Sequence, residues 1–220
     1  MNEVSRRVYL VDDDPAVLKG LSRLLSSAGY QTSQFGSAKE FMECYDADAS
    51  GCIVLDLAMP EVTGLELQKW LRQSNSPLPV IFLTGRGDVS SSVQAIREGA
   101  VDFLTKPVND EELLGAVRQA LERERVARKE RAEVAAIEAR LAKLSPRERE
   151  VLEHVVSGQP NKQIAAMLGT TVNTIKVHRG RVMRKMGVPS LPELVRLAAR
   201  VGISASRHRV RKMGAEGPVS

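Results

Sequence analysis

The chain of 220 residues is 43% hydrophobic and 27% charged, a balance that excludes wholesale disorder and suits one or two globular domains. No apolar run approaches the roughly 18 residues a membrane span needs, and Asp12, Asp13 and Asp14 interrupt the only early apolar run, so neither a spanning helix nor a secretory leader is expected. The net charge of +5 is unevenly spread: residues 1–124 hold 12 Lys and Arg against 19 Asp and Glu, whereas residues 125–220 hold 20 against 8. This reads as an acidic module followed by a basic one, the second suited to a polyanion. Two cysteines, Cys44 and Cys52, are too few for a disulfide framework or a zinc site; they read as buried thiols in a reducing cytoplasm.

Along residues 8–124, strand-like and helix-like patterns alternate five times. Val8–Val11 is a short apolar run; Pro15 to Ala28 has helical spacing at Val17, Leu18, Leu21, Leu24 and Leu25 and stops at Gly29. Gln31 to Phe35 is strand-like, and a helix follows over Ala38–Tyr45. Cys52–Leu55 is a wholly apolar strand, with a helix over Thr63–Gln73 after it. Val80–Leu83 and Val101–Leu104 are the last two strands, separated by a helix over Val89–Glu98; Asp110 is expected to cap the helix that carries Leu113, Leu114, Val117 and Leu121. Apolar strands separated by helices predict a doubly wound, five-stranded parallel sheet covered on both faces, with ligands at the carboxyl ends of the strands.

Residues 122–143 lack Gly and Pro and are rich in Glu, Arg, Lys and Ala, predicting a helical linker, either a solvated single helix or, from the sevenfold spacing of Ala127, Val134 and Leu141, a short coiled coil. Beyond Ser145-Pro146 come short helices over Arg147–Val156, Lys162–Leu168, Asn173–Met186 and Leu191–Val201, a small all-α domain. The tail from Ser204 is basic and poor in large apolar residues, and is expected to be mobile.

The strand ends carry the chemistry. The first ends in Asp12-Asp13, the third in Asp56, the fourth in Thr84, and the fifth is followed by Lys106. Each has a bland reading: Asp12 as a helix cap, Thr84 as an ordinary strand hydroxyl, Lys106 as a solvated cation. Together they place three acids, a hydroxyl and an ammonium on one edge. Clustered carboxylates repel, and an all-oxygen donor set suits Mg²⁺ as the neutraliser. A central aspartate beside such a cation is suited to accept a phosphoryl group, with Lys106 and Thr84 to hold phosphoryl oxygens.

Four stretches carry a family resemblance: Val-Asp-Asp-Asp at 11–14, Leu-Asp-Leu-Ala-Met-Pro-Glu-Val-Thr-Gly-Leu-Glu-Leu at 55–67, Leu-Thr-Gly at 83–85 and Gly-Ala-Val-Asp-Phe-Leu-Thr-Lys-Pro at 99–107. Residues 5–124 resemble a response-regulator receiver domain of two-component signalling. The resemblance implies that Asp56 takes a phosphoryl group from the phosphohistidine of a sensor kinase. It implies Mg²⁺ on Asp13, Asp56 and the backbone carbonyl of Ala58, with Asp12 in the inner or outer shell. It further implies Lys106 paired with the acylphosphate, a cis bond between Lys106 and Pro107, and a switch in which Thr84 moves to the phosphoryl group and Phe103 turns inward behind it. Glu61 lies near the site and is expected to influence phosphoryl lifetime. Receiver pairing is implied on the surface around Val89–Glu98 and Val101–Leu104.

The basic half carries a second set: Leu-Ser-Pro-Arg-Glu-Arg-Glu-Val-Leu at 144–152, Asn-Lys-Gln-Ile-Ala-Ala-Met-Leu-Gly at 161–169 and Thr-Val-Asn-Thr-Ile-Lys-Val-His-Arg at 171–179. Residues 144–203 resemble a LuxR-type helix-turn-helix. Two short helices around a glycine turn fit that motif on spacing alone, and the second leaves Lys176, His178, Arg179, Arg181, Arg184 and Lys185 as a basic set. Asn173 and Thr174 are assigned to phosphate contact or capping. By resemblance Lys176, Val177 and Arg179 approach base edges; Arg181 belongs to the DNA-contacting set, and His178 is equally suited to packing or phosphate contact. The last helix, around Leu194 and Val195, either pairs with a second copy or closes the small core. Together the resemblances imply a cytoplasmic, non-enzymatic transcriptional response regulator of the FixJ/NarL class: phosphorylated by a sensor histidine kinase, dimeric on phosphorylation, bound to promoter DNA and acting with RNA polymerase.

Overall fold

The computed structural model describes residues 7–85 and 99–203. The helix expected over 89–98, the tail from 204 and the first six residues lie outside the described residues. The chain divides into two compact units, residues 1–130 and 131–220.

In the first unit the strands are β1 (Arg7–Val11), β2 (Gln31–Phe35), β3 (Cys52–Asp56), β4 (Val80–Thr84) and β5 (Asp102–Thr105), in the order β2-β1-β3-β4-β5. All four pairings are parallel, Val11 lying opposite Leu55 and Asp56 opposite Leu83. Every residue of β3 and β4 is buried, as continuous apolar runs require when both faces are covered. One face packs under α1 (Pro15–Ser27) and the helix α4 (Asp110–Leu141), burying Leu18, Leu25, Leu113 and Val117 against Val8, Leu10, Val54 and Ile81. The other packs under α2 (Ala38–Cys44) and α3 (Gly64–Gln73), burying Phe41, Leu67 and Leu71 against Ile53, Leu55 and Phe82. The doubly wound sheet expected from the sequence is the one observed.

Local chemistry sets the helix starts. Asp14 caps α1 through the Ala16 N–H, and Pro15 follows it at the first turn, where its missing N–H costs nothing. Thr63 and Glu66 form a capping box on α3. Asp110, however, is the first residue of its helix rather than the cap: the Asn109 side chain accepts from the Glu111 and Glu112 N–H groups. Asp110 instead joins Glu111 and Glu112 as a first-turn acid, where the helix dipole favours negative charge.

That helix, α4 (Asp110–Leu141), runs without a break through the segment expected as a linker. Its last turns belong to the second unit, where Ile137 and Leu141 are buried in the core. Around them lie α5 (Pro146–Val156), α6 (Asn161–Met167), α7 (Val172–Met186) and α8 (Leu191–Arg200). Val151, Leu152, Ile164, Ile175, Val182, Met186, Leu194 and Ala198 complete this core. Among the described residues no helix is long and apolar enough to cross a membrane.

Candidate functional site

Asp12 follows β1 and Asp56 ends β3, so adjacent parallel strands deliver the two carboxylates to the same edge, with Asp13 one residue further along. One oxygen from each of Asp12, Asp13 and Asp56 lies within 4.8 Å of the others. Asp12 and Asp56 are buried, at 1% and 6% exposure, while Asp13 faces solvent. Asp12 does not cap α1: its Oδ1 accepts the Asp14 N–H at 2.9 Å, and its Oδ2 accepts from Lys106 Nζ at 2.6 Å. Lys106 also lies 3.0 Å from Asp56 Oδ1, and its peptide bond to Pro107 is cis.

Burial raises the Asp56 pKa above the ordinary carboxylate value; the charges of Asp12 and Asp13 add to the rise, and Lys106 opposes it without cancelling it. Burial also works against the Lys106 ammonium, but the hydrogen bonds and charges of Asp12 and Asp56 outweigh it and hold the pKa above that of a free lysine. Excess negative charge, all on oxygen, with one ammonium inserted, is a donor set that fits a hard divalent cation. Thr84 is buried beside this edge and donates its hydroxyl to the Gly85 carbonyl at 3.1 Å. Phe103 is half-buried, its ring 6.1 Å from that of Phe82. Ala58 is exposed in the loop after β3, and Glu61 in the same loop has φ of +61°, a left-handed conformation uncommon for a residue with a side chain.

In the second unit, α7 starts one residue before its expected start and is capped by Thr171, which accepts the Thr174 N–H at 3.1 Å. Ile175, Val182 and Met186 face the core. Lys176, Arg181 and Arg184 are exposed and form no ion pair among the described residues; Asn173 is exposed beside them. Two cations of the expected basic set are engaged internally. Lys185 Nζ lies 2.5 Å from Glu148 Oε2, and Arg179 Nη1 donates to Asn161 Oδ1 at 2.6 Å. His178 is half-buried with its Nδ1 buried and unbonded, while Val172 and Val177 are exposed on the same helix. Of the two roles open to Leu194, pairing or closing the small core, the fold gives it the second: it is 1% exposed and lies with Ala198 in the cluster that holds Val151 and Ile164. Apolar exposure on α8 falls to Leu191 and Val195.

Residues 8–118 match the family model for the response regulator receiver domain, and residues 142–198 match that for bacterial regulatory proteins of the luxR family. The chain belongs to the response regulators. It is 43% identical over 199 residues to nodulation protein W of Bradyrhizobium diazoefficiens, covering 90% of this chain and 88% of that one. It is 42% identical over 196 residues to the transcriptional regulatory protein FixJ of the same species, covering 89% and 96%. The response regulator StyR is similar in structure, with a TM-score of 0.80, 39% identity and coverage of 88% of this chain and 98% of that one. A response regulator of this build is a phosphorylation-dependent transcriptional regulator: its receiver implies a sensor kinase, and its LuxR-type domain implies DNA.

Two features of this regulator were missed in the sequence. Gly64 starts α3 so close to β3 that a Cβ there would lie 2.3 Å from the Asp56 carbonyl oxygen, so the absence of a side chain is what lets α3 pack behind the acid edge. The signal was present, since Gly64 stands in the 55–67 motif, but its steric reason needs the fold. The bond from Arg179 to Asn161 spans 18 residues, and no local sequence pattern announces it.

Proposed function

We propose that Asp56 is the phosphoacceptor of the receiver module, residues 5–124. Lys106 occupies Asp56 Oδ1, which leaves Oδ2 to attack phosphorus. A bond forms from Oδ2 to phosphorus, the P–N bond of the kinase phosphohistidine breaks, and the imidazole nitrogen leaves with the electron pair and takes up a proton. Asp12, Asp13, Asp56 and the Ala58 carbonyl would hold Mg²⁺, which supplies positive charge against the carboxylates and the phosphoryl oxygens. Lys106 then pairs with the phosphoryl group, and Thr84 exchanges its bond to Gly85 for one to a phosphoryl oxygen, with Phe103 following into the space behind. Turnover is confined to slow self-dephosphorylation; the protein is a switch rather than an enzyme.

The output is promoter DNA, bound by the basic face of α7 in the module 144–203. Lys176, Arg181 and Arg184 are free for phosphates, Asn173 and Thr174 sit at the helix start, and exposed Val177 offers an apolar contact to a base edge. His178 is assigned to packing or a phosphate. Phosphorylation drives dimerisation, with Val195 and its neighbour Leu191 as the apolar patch on α8, and the dimer acts with RNA polymerase in the cytoplasm. The observation that carries this reading is the single Lys106 ammonium within bonding distance of both Asp12 and Asp56. The test is acetyl phosphate with Mg²⁺ followed by peptide mass mapping: one added phosphoryl group on Asp56 and tighter duplex binding are expected. An Asp56→Asn protein that still takes the label, or that binds DNA like the labelled wild type, refutes it.

A further inference from the structure

Arg179 is half-buried, unlike the exposed Lys176, Arg181 and Arg184 on the same helix α7, and its partner Asn161 on α6 is half-buried too. Pro160 holds the N-cap position of α6 and has no side chain that can accept a bond, and the Asn161 amide beside it reaches across to α7. The acceptor there is neutral. A carboxylate at this position would cancel the guanidinium charge; an amide fixes its direction and leaves the charge intact. The bond uses one of the five guanidinium N–H donors, so four remain for a second partner. Lys162, exposed at the next position, adds a second cation where α6 meets α7.

We propose that Asn161 is a positioning residue for DNA binding: it holds the Arg179 guanidinium in the orientation from which its remaining donors meet a phosphate of the duplex. This rests on the assignment of the basic face of α7 to DNA. A side chain already ordered in the free protein is not ordered again on binding, and that saving shows as affinity. The opposite role, an arginine tied back to join two helices and withheld from DNA, predicts opposite results.

The experiment uses the full-length protein and a short fluorescein-labelled duplex of mixed sequence, titrated by anisotropy between about 50 and 200 mM salt. Asn161→Ala is expected to weaken binding about three- to tenfold, the ordering cost of one long side chain. In an Arg179→Ala background the same substitution is expected to change nothing. Arg179→Ala should reduce the slope of log affinity against log salt by about 0.9, one phosphate contact. Asn161→Asp keeps the bond and the fold but neutralises the guanidinium, so it should lower the slope by a similar amount, which loss of helix packing would not do. Equal losses from Asn161→Ala with and without Arg179, tighter binding by Asn161→Ala, or an unchanged slope in Asn161→Asp would each overturn the proposal. Loss of Lys176 and Arg181 together without effect on affinity would instead overturn the assignment of α7, and the proposal with it.

Discussion

Gly64 and Asp56 approach so closely that a methyl group on the glycine would stand 2.3 Å from the aspartate carbonyl oxygen, 3.1 Å from the Leu57 Cα and 3.1 Å from the Phe82 ring. Two of those three neighbours are backbone atoms of the strand end that carries the acid, so neither can rotate away. Gly64→Ala must therefore move the start of α3 or the end of β3. Overpacking of this kind costs about 1–3 kcal/mol, and here the displacement falls on the site itself. Urea unfolding should show that loss, and acetyl phosphate labelling of Asp56 should slow. Wild-type stability with a wild-type labelling rate would show that the contact is not a constraint.

Lys106 supplies the positive charge between two buried carboxylates, 2.6 Å from Asp12 and 3.0 Å from Asp56. Lys106→Met removes it and leaves the acids facing one another. The Asp56 carboxyl, already raised by burial and by Asp12 and Asp13, is pushed further up, and stability without a divalent cation falls by about 1–3 kcal/mol. A cation that binds only the folded form stabilises it by mass action. Mg²⁺ should thus raise the melting temperature of Lys106→Met by more than it raises that of the wild type, and Asp13→Asn should blunt both responses. Melting curves indifferent to Mg²⁺ in all four proteins would mean that no cation binds at this edge.

Much of the acid edge was legible because a buried parallel strand is an unbroken apolar run, and the first polar residue at its end marks the carboxyl edge of the sheet. Asp12 after Val11, Asp56 after Leu55 and Thr84 after Leu83 all follow that rule. What stayed hidden depends on angles and distances the chain does not print. Asn109 and Asp110 are both good cap residues, and only the turn geometry chooses the first. Leu194 and Val195 are adjacent and apolar, and a rotation of about 100° per residue decides which is core. The last turns of α4 look solvated in a charge-rich segment, yet Ile137 and Leu141 find a core made by helices that come later in the chain.

The two thiols separate in the same way. Both were expected to be buried, but Cys44 closes the short helix α2 and is exposed, while Cys52 opens β3 under the sheet cover. Burial, helped by the nearby Glu124 carboxylate, pushes the Cys52 thiol up to about 12. It therefore stays protonated across the range in which thiol reagents work, and the thiolate is the reactive form. A disulfide reagent at pH 8 should titrate one thiol rapidly and the second only on denaturation, and Cys44→Ser should abolish the fast phase. A fast phase that survives Cys44→Ser would place Cys52 within reach of solvent.

Glu148 offers a pH test confined to the second unit. The hydrogen bond from Lys185 and the Ser145 N–H, aided by the Lys185 charge, outweigh burial and hold its pKa at about 2, against an ordinary value of 4.5. A group whose pKa is depressed by folding stabilises the native state fully above its unfolded value and loses that contribution as pH falls toward its folded value. Stability of the second unit should thus decline between pH 4.5 and about 2 through this residue. Glu148→Gln keeps an acceptor for Ser145 but loses the ion pair, and should be less stable than wild type near neutrality by about 1–2 kcal/mol. Its thermal unfolding should change less over that acid range, so the two melting curves converge as pH falls. Parallel pH profiles for the two proteins would show that the Lys185 contact does not set the ionisation of Glu148.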